Sequence, residues 1–216
     1  MVILLPAAIL LLVIAAMAGG GMSSGLIPSK AVSKKYTGRR SSDLTSFDLV
    51  DDVVVQSPTQ VQGAVQAKLG RPVAINTIAL ATSIASESSG PLAAQIGIGW
   101  SIKNYAAKGG KSVLATVAPD GKFAAQGTKN HGYVSSARPP TSVTIKIAED
   151  ILATPPKVKD PTGGAIQFDS PKTQRALLAQ GRVSETPEQV AANRIKSGRK
   201  VVYLPGVPTE ELRFWV

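Results

Sequence analysis

The residue of this sequence best suited to acid–base chemistry is Glu87, a carboxylate at the end of an apolar run. The other residues of the run, 75–86, are Ile, Leu, Ala, Thr, Ser and Asn. Burial disfavours the charged form of a carboxyl group and raises its pKa, so the group stays protonated near neutral pH. Such a group suits the general acid that cleaves a sugar–sugar bond. The alternative interpretation is a glutamate at a solvated helix end.

The other acids of the chain offer few partners for Glu87. Glu149 and Asp150 are expected on the solvated face of a helix, and Asp120 and Asp160 precede turns, where Asp is common for local reasons. Only Asp169 also lies among apolar or small residues. A single acid favours lytic transglycosylase chemistry, because the substrate's own hydroxyl attacks and no water-activating base is required. Glycoside hydrolysis normally needs two carboxylates.

Groups that could contact a sugar follow the Gly163-Gly164 turn. Gln167 and Asp169 can hydrogen-bond sugar hydroxyls, and Phe168 can pack against a sugar face. Glycine at the turn allows a ligand to approach the backbone closely. The alternative is an ordinary turn and strand, ending in an Asp or Ser that caps the next helix.

Composition narrows the classes of function. The chain has 216 residues, no cysteine and one histidine, His131. Disulfides and thiol nucleophiles are therefore excluded, multi-His metal sites are disfavoured, and we expect neither a metal nor a cofactor. The net charge of +10 indicates an anionic partner, such as an acidic wall polymer or lipid surface. Aromatic residues make up only 5% and do not alternate with basic ones, so no nucleic-acid partner is expected.

The N-terminal region predicts a membrane segment and a linker. Residues 1–22 carry no charge and approach the roughly 20 residues that span a bilayer, so we interpret them as a transmembrane anchor or uncleaved signal. A cleaved export signal is the alternative. Basic residues follow the segment rather than precede it, which the positive-inside rule associates with a cytoplasmic C-terminal side. Residues 23–65 are predicted to form a basic, polar linker, and residues 66–216 the catalytic domain.

The spacing of apolar residues and turn signals predicts a mainly α domain with a small β element. Asn76 or Thr77 is expected to cap the helix that runs to Glu87 or Ser88, and Thr141 to cap a later one. Val201 to Leu204 is the expected strand. The remaining helices are predicted at residues 91–108, 112–117, 172–180 and 187–196.

Several segments, in order, resemble cell-wall hydrolases of the spore-cortex-lytic (SleB-like) type, which act on peptidoglycan. They cover about residues 75–171, a little under half of the chain. The matching segments are Ala81-Thr-Ser-Ile84-Ala-Ser-Glu87, Gly90 to Asn104, Val113 to Gln126, Ile147 to Leu152 and Asp160-Pro-Thr-Gly-Gly-Ala-Ile-Gln-Phe168. One departure follows the acid, where the family often has Glu-Ala-x-Gly-Glu and this chain has Glu87-Ser-Ser-Gly90-Pro91.

The resemblance implies a lysozyme-like, mainly helical fold with Glu87 as the catalytic acid at the floor of a groove. Gln126, Gln167, Phe168 and Asp169 would line this groove and bind peptidoglycan glycan strands. The expected protein is a single-pass membrane enzyme, most consistent with a lytic transglycosylase. It would lie in the bacterial envelope or, with other virion proteins, in a phage particle that breaches the wall as it enters the cell.

Three alternatives remain open at this point. A hydrolytic muramidase or glucosaminidase would use Asp169 or Asp120 as a helper. A non-enzymatic, membrane-anchored wall-binding or virion protein would keep the fold without the activity. A basic nucleic-acid-associated protein would bind any nucleic acid with an affinity that falls steeply with salt.

Overall fold

A helix that ends in Glu87 lies at the centre of the fold. The computed structural model describes residues 57–88, 90–118 and 138–216. The helices are α1 (Pro58–Leu69), α2 (Ile75–Glu87), α3 (Leu92–Lys108), α4 (Val113–Val117), α5 (Ser142–Leu152), α6 (Pro171–Ala179) and α7 (Pro187–Lys196). Every residue of α2 from 77 to 86 is buried, and α1, α3, α4 and α5 pack around it. The described part is mainly helical, as the sequence predicts.

Three short strands form a small antiparallel sheet next to the helices. The order is β1 (Gln167–Asp169), β3 (Arg213–Trp215) and β2 (Val201–Val202), so the C-terminal strand lies in the middle. Its three residues are buried, and Phe214 pairs with Phe168 on one side and Val202 on the other. The strand predicted near residue 201 is present but shorter, whereas β3 is too brief to show an alternating pattern in the sequence.

Two glycines let α3 approach its neighbours closely. A Cβ on Gly97 would lie 2.5 Å from the Phe214 ring, and one on Gly99 would lie 2.7 Å from the end of Ile151. Phe214 is fully buried, so the ring has little room to move away. The glycines therefore bring α3 against both the sheet and α5.

Helix capping follows the sequence in most places but not at the start of α2. Thr141 caps α5 as predicted, and Ser112 and Thr186 cap α4 and α7. Helix α2 instead begins after Ala74, which makes no side-chain cap. The predicted cap Asn76 accepts a hydrogen bond from the backbone N–H of Leu114 at 3.0 Å. It therefore satisfies a donor at the start of α4 rather than at the start of its own helix.

The folded part begins earlier than the predicted boundary at residue 66. Ser57 and Gln60 form a capping box, and Pro58 occupies the first turn of α1. Val61 and Val65 lie four residues apart and are both buried in the core. The last residues of the predicted linker therefore form part of the folded unit.

The predicted membrane segment, residues 1–22, lies outside the described residues. In the ranges 57–88, 90–118 and 138–216, no helix has the length and hydropathy required to cross a bilayer.

Candidate active site

Glu87 is the last residue of α2, where a buried apolar helix reaches a cavity. The residue keeps part of its surface accessible, but burial raises the pKa of its carboxyl group from 4.5 to about 8. No hydrogen bond or ion pair links this carboxyl group to another described residue. Glu87 is therefore predominantly protonated at neutral pH, as a general acid requires.

Hydrogen bonds hold the chain on either side of Glu87. Ser86 Oγ accepts a hydrogen bond from the backbone N–H of Arg138 at 2.9 Å. Ser88 Oγ accepts one from Gly90 N–H at 2.9 Å, and the Gln95 side-chain amide donates to the Gly90 carbonyl at 3.1 Å. The acid therefore lies between two anchored points, which restricts where its carboxyl group can lie.

The cavity at Glu87 has a volume of about 610 Å³. One wall comes from the end of α2 and the start of α3, another from α6, and a third from the segment before β3. Apolar groups dominate these walls, including Pro91, Ala94, Leu177, Val207 and Leu212. Its size is in the range of small-molecule sites, and its apolar surface keeps water from solvating Glu87 fully.

Among the described residues, four further charged side chains line the cavity besides Glu87. Arg138, Lys172 and Arg182 are basic and Glu211 is acidic. Lys172 Nζ lies 2.7 Å from Glu211 Oε1, and this contact raises the pKa of Lys172. Sequence reasoning missed all four, because they lie far apart in the chain and each resembles an ordinary surface residue.

The structure assigns Asp169 to the core rather than to a groove. Its side chain is buried and lies 2.7 Å from Arg213 Nη2, and it accepts a hydrogen bond from Trp215 Nε1 at 2.9 Å. Arg194 Nη1 lies 3.9 Å away. The prediction that Asp169 binds substrate is therefore wrong, because both carboxylate oxygens are engaged in this buried network.

The other predicted sugar-binding residues do not meet Glu87 in the described part of the chain. Phe168 packs against the core, with its ring centroid 6.3 Å from that of Phe214. Gln167 pairs with Trp215 in the sheet. Neither residue lines the Glu87 cavity. In this part of the chain, the first residue that lines it is Ser170, directly after β1. Gln126 lies outside the described residues, as does Asp120.

Within the described ranges, no group of three or more His, Cys, Asp or Glu side chains is placed to hold a metal ion. Comparisons with protein-family models, with curated proteins and with solved structures gave no match.

Proposed function

We propose that this protein is a membrane-anchored peptidoglycan-cleaving enzyme, a lytic transglycosylase with Glu87 as its general acid. The observation that carries the proposal is a carboxyl group held neutral by burial at the wall of a cavity. Glu87 would protonate the glycosidic oxygen between the N-acetylmuramic acid and N-acetylglucosamine units. The bond from that oxygen to the muramic C1 then breaks, which leaves an oxocarbenium-like centre.

The same carboxylate would complete the reaction. After donating its proton, Glu87 is an ionised carboxylate in an apolar wall, where it is a strong proton acceptor. It would take the proton of the muramic 6-hydroxyl as that oxygen bonds to C1, which gives a 1,6-anhydro product. This step returns the proton to Glu87, so the reaction requires no second catalytic carboxylate.

Glu211 supports an alternative in which the enzyme is a hydrolase. It lines the same cavity and is the other carboxylate among the described lining residues. In a hydrolase it would activate a water molecule opposite the leaving group. Its carboxylate forms an exposed ion pair with Lys172, which a water-activating role would have to break.

Analysis of the products by mass spectrometry separates these functions. Purified peptidoglycan would be digested with the full-length protein in detergent, and with the Glu87→Gln and Glu211→Gln variants. We expect 1,6-anhydromuramic ends from the wild type and from Glu211→Gln. We expect a loss of roughly 10²- to 10⁴-fold in rate for Glu87→Gln.

Two other results would redirect the proposal. Reducing ends that disappear in Glu211→Gln would establish hydrolysis with two carboxylates. A folded wild-type protein that binds the wall but gives no product would favour the non-enzymatic alternative, a wall-binding or virion component.

A further inference from the structure

The described lining of the cavity carries more positive than negative charge when Glu87 is neutral. Among the described residues it has three basic side chains and one ionised acid, which leaves two positive charges. Lys172 is compensated by Glu211. Arg138 and Arg182 have no ion pair with another described residue, and both are exposed to solvent. A ligand in the cavity therefore meets two arginines that no described acid compensates.

The backbone places both arginines firmly beside the cavity. The N–H of Arg138 donates to Ser86, the neighbour of Glu87. Gly181, with a φ of 68°, turns the chain after α6, and the N–H of Arg182 donates to the Leu177 carbonyl at 3.0 Å. Leu177 is itself part of the cavity wall. The two arginines therefore come from different parts of the chain but line the same cavity.

Guanidinium groups bind carboxylates through parallel N–H···O hydrogen bonds. On the proposed substrate, carboxylates occur close to the bond to be cleaved. The muramic unit carries a lactyl group, which is either a free carboxylate or the attachment point of a peptide with free carboxyl groups. A neutral sugar chain offers no such partner.

We propose that Arg138 and Arg182 form a carboxylate-binding subsite that selects muramic units bearing free carboxyl groups over neutral glycan. This inference rests on the proposed function for the identity of the glycan. The binding itself needs no catalysis, so it can be measured separately from cleavage.

The test compares charge-matched variants of the full-length protein in detergent, all carrying Glu87→Gln so that the wall stays intact. One variant adds Arg138→Gln and Arg182→Gln. The control adds Lys196→Gln and Lys200→Gln, which remove the same charge from exposed positions away from the cavity. Binding to purified peptidoglycan would be measured by sedimentation. The wall would be used untreated, with its carboxyl groups converted to neutral amides, and with its peptides removed by an amidase.

On untreated wall, we expect the arginine variant to bind roughly three- to tenfold more weakly than the control. On amidated wall, the two should bind equally. A difference on peptide-free glycan identifies the lactyl carboxylate as the ligand, and a difference confined to peptide-bearing wall identifies the peptide. Equal binding of both variants to untreated wall would overturn the subsite. The subsite would also be overturned if the arginine variant bound amidated wall more weakly than the control by the same factor as on untreated wall. If the wild type cleaved no peptidoglycan, this result would contradict the proposed enzymatic function but not the carboxylate-binding subsite.

Discussion

Glu87 is an ionisable residue in an apolar environment that disfavours the ionised form of its carboxyl group. Its helix supplies only buried apolar and small residues, and the cavity wall is mostly apolar. Since no described residue compensates the carboxylate, the proton is retained to about pH 8. This arrangement costs stability whenever the group is ionised, and such a cost is common where a side chain serves chemistry rather than folding.

The loss of stability that accompanies ionisation of Glu87 predicts how the free energy of unfolding depends on pH. Between pH 4.5 and about 8, the folded state holds a proton on Glu87 that the unfolded state has released. The free energy of unfolding therefore falls as pH rises through this range and levels off above it. Glu87→Gln removes this dependence. We expect the variant to match the wild type near pH 5 and to be more stable above pH 8, by up to about 4 kcal/mol, since each pKa unit corresponds to about 1.4 kcal/mol.

Urea denaturation at both pH values measures this difference. Glu149→Gln is the control, because Glu149 is an acid on α5 that pairs with Arg71 at 2.6 Å on the surface. An equal difference between wild type and Glu87→Gln at both pH values would show that the carboxyl group titrates normally.

The candidate acid could be predicted from the sequence, but most of its surroundings could not. An isolated Glu at the end of an apolar helix is a local signal, and the helix is present as predicted. The cavity wall joins residues such as Arg138 and Glu211, which no short pattern connects. Asp169 misled the sequence reasoning, because an acid among apolar residues can also be a buried ion-pair partner. Asp150 is a second such acid, buried rather than solvated, and it pairs with Lys146.

At the level of elements, the Asp169 network fixes the sheet to α7. Asp169 lies on β1, Arg213 and Trp215 on β3, and Arg194 on α7. Arg213 also donates to the Pro187 carbonyl at the start of α7 at 3.2 Å. The segment before β3 forms one wall of the cavity, so the network holds that wall in place from behind.

Removal of Asp169 is predicted to destabilise the fold strongly. Asp169→Ala leaves the buried Arg213 without its counter-ion, so we expect a loss of about 3–5 kcal/mol in urea denaturation. Glu211→Ala removes one acid from an exposed pair and should have a much smaller effect. Equal effects of the two substitutions would contradict the structural role of Asp169.

The described helices other than α1 were predictable to within a few residues, whereas the pairing of the three strands was not. Helix signals are local: Ser112, Thr141 and Thr186 each precede a helix, and Pro187 lies in a first turn. Strands β2 and β3 have two and three residues, and their pairing joins positions far apart in the chain. Such pairing is decided by tertiary packing, here around Phe214.

At the scale of the whole molecule, we propose that a catalytic unit is joined through a basic linker to an N-terminal membrane segment. The net charge of +10 favours encounter with an anionic wall. The anchor and its use by a phage particle remain predictions from the sequence. If the protein belongs to a virion, antibodies against it should detect it in purified particles.

The folded unit should include residues 57–65, which the sequence assigns to the linker. A protein comprising residues 57–216 keeps α1, whereas residues 66–216 lose the buried Val61 and Val65. We expect the shorter protein to be less stable by about 3–6 kcal/mol, since each of the two buried valines contributes roughly 1.5–3 kcal/mol. Urea denaturation of both proteins tests the boundary. Equal midpoints would show that α1 adds nothing to the core.

The pH dependence of kcat/KM for peptidoglycan cleavage tests the central claim most directly, because it reports the protonation state of the free enzyme's acid. If Glu87 donates the proton, activity should be constant near neutral pH and should fall about tenfold per pH unit above about 8. Glu211→Gln should keep this descending limb. A limb near the ordinary glutamate pKa of 4.5, or activity that rises through pH 8, would contradict the account that burial keeps Glu87 protonated for catalysis.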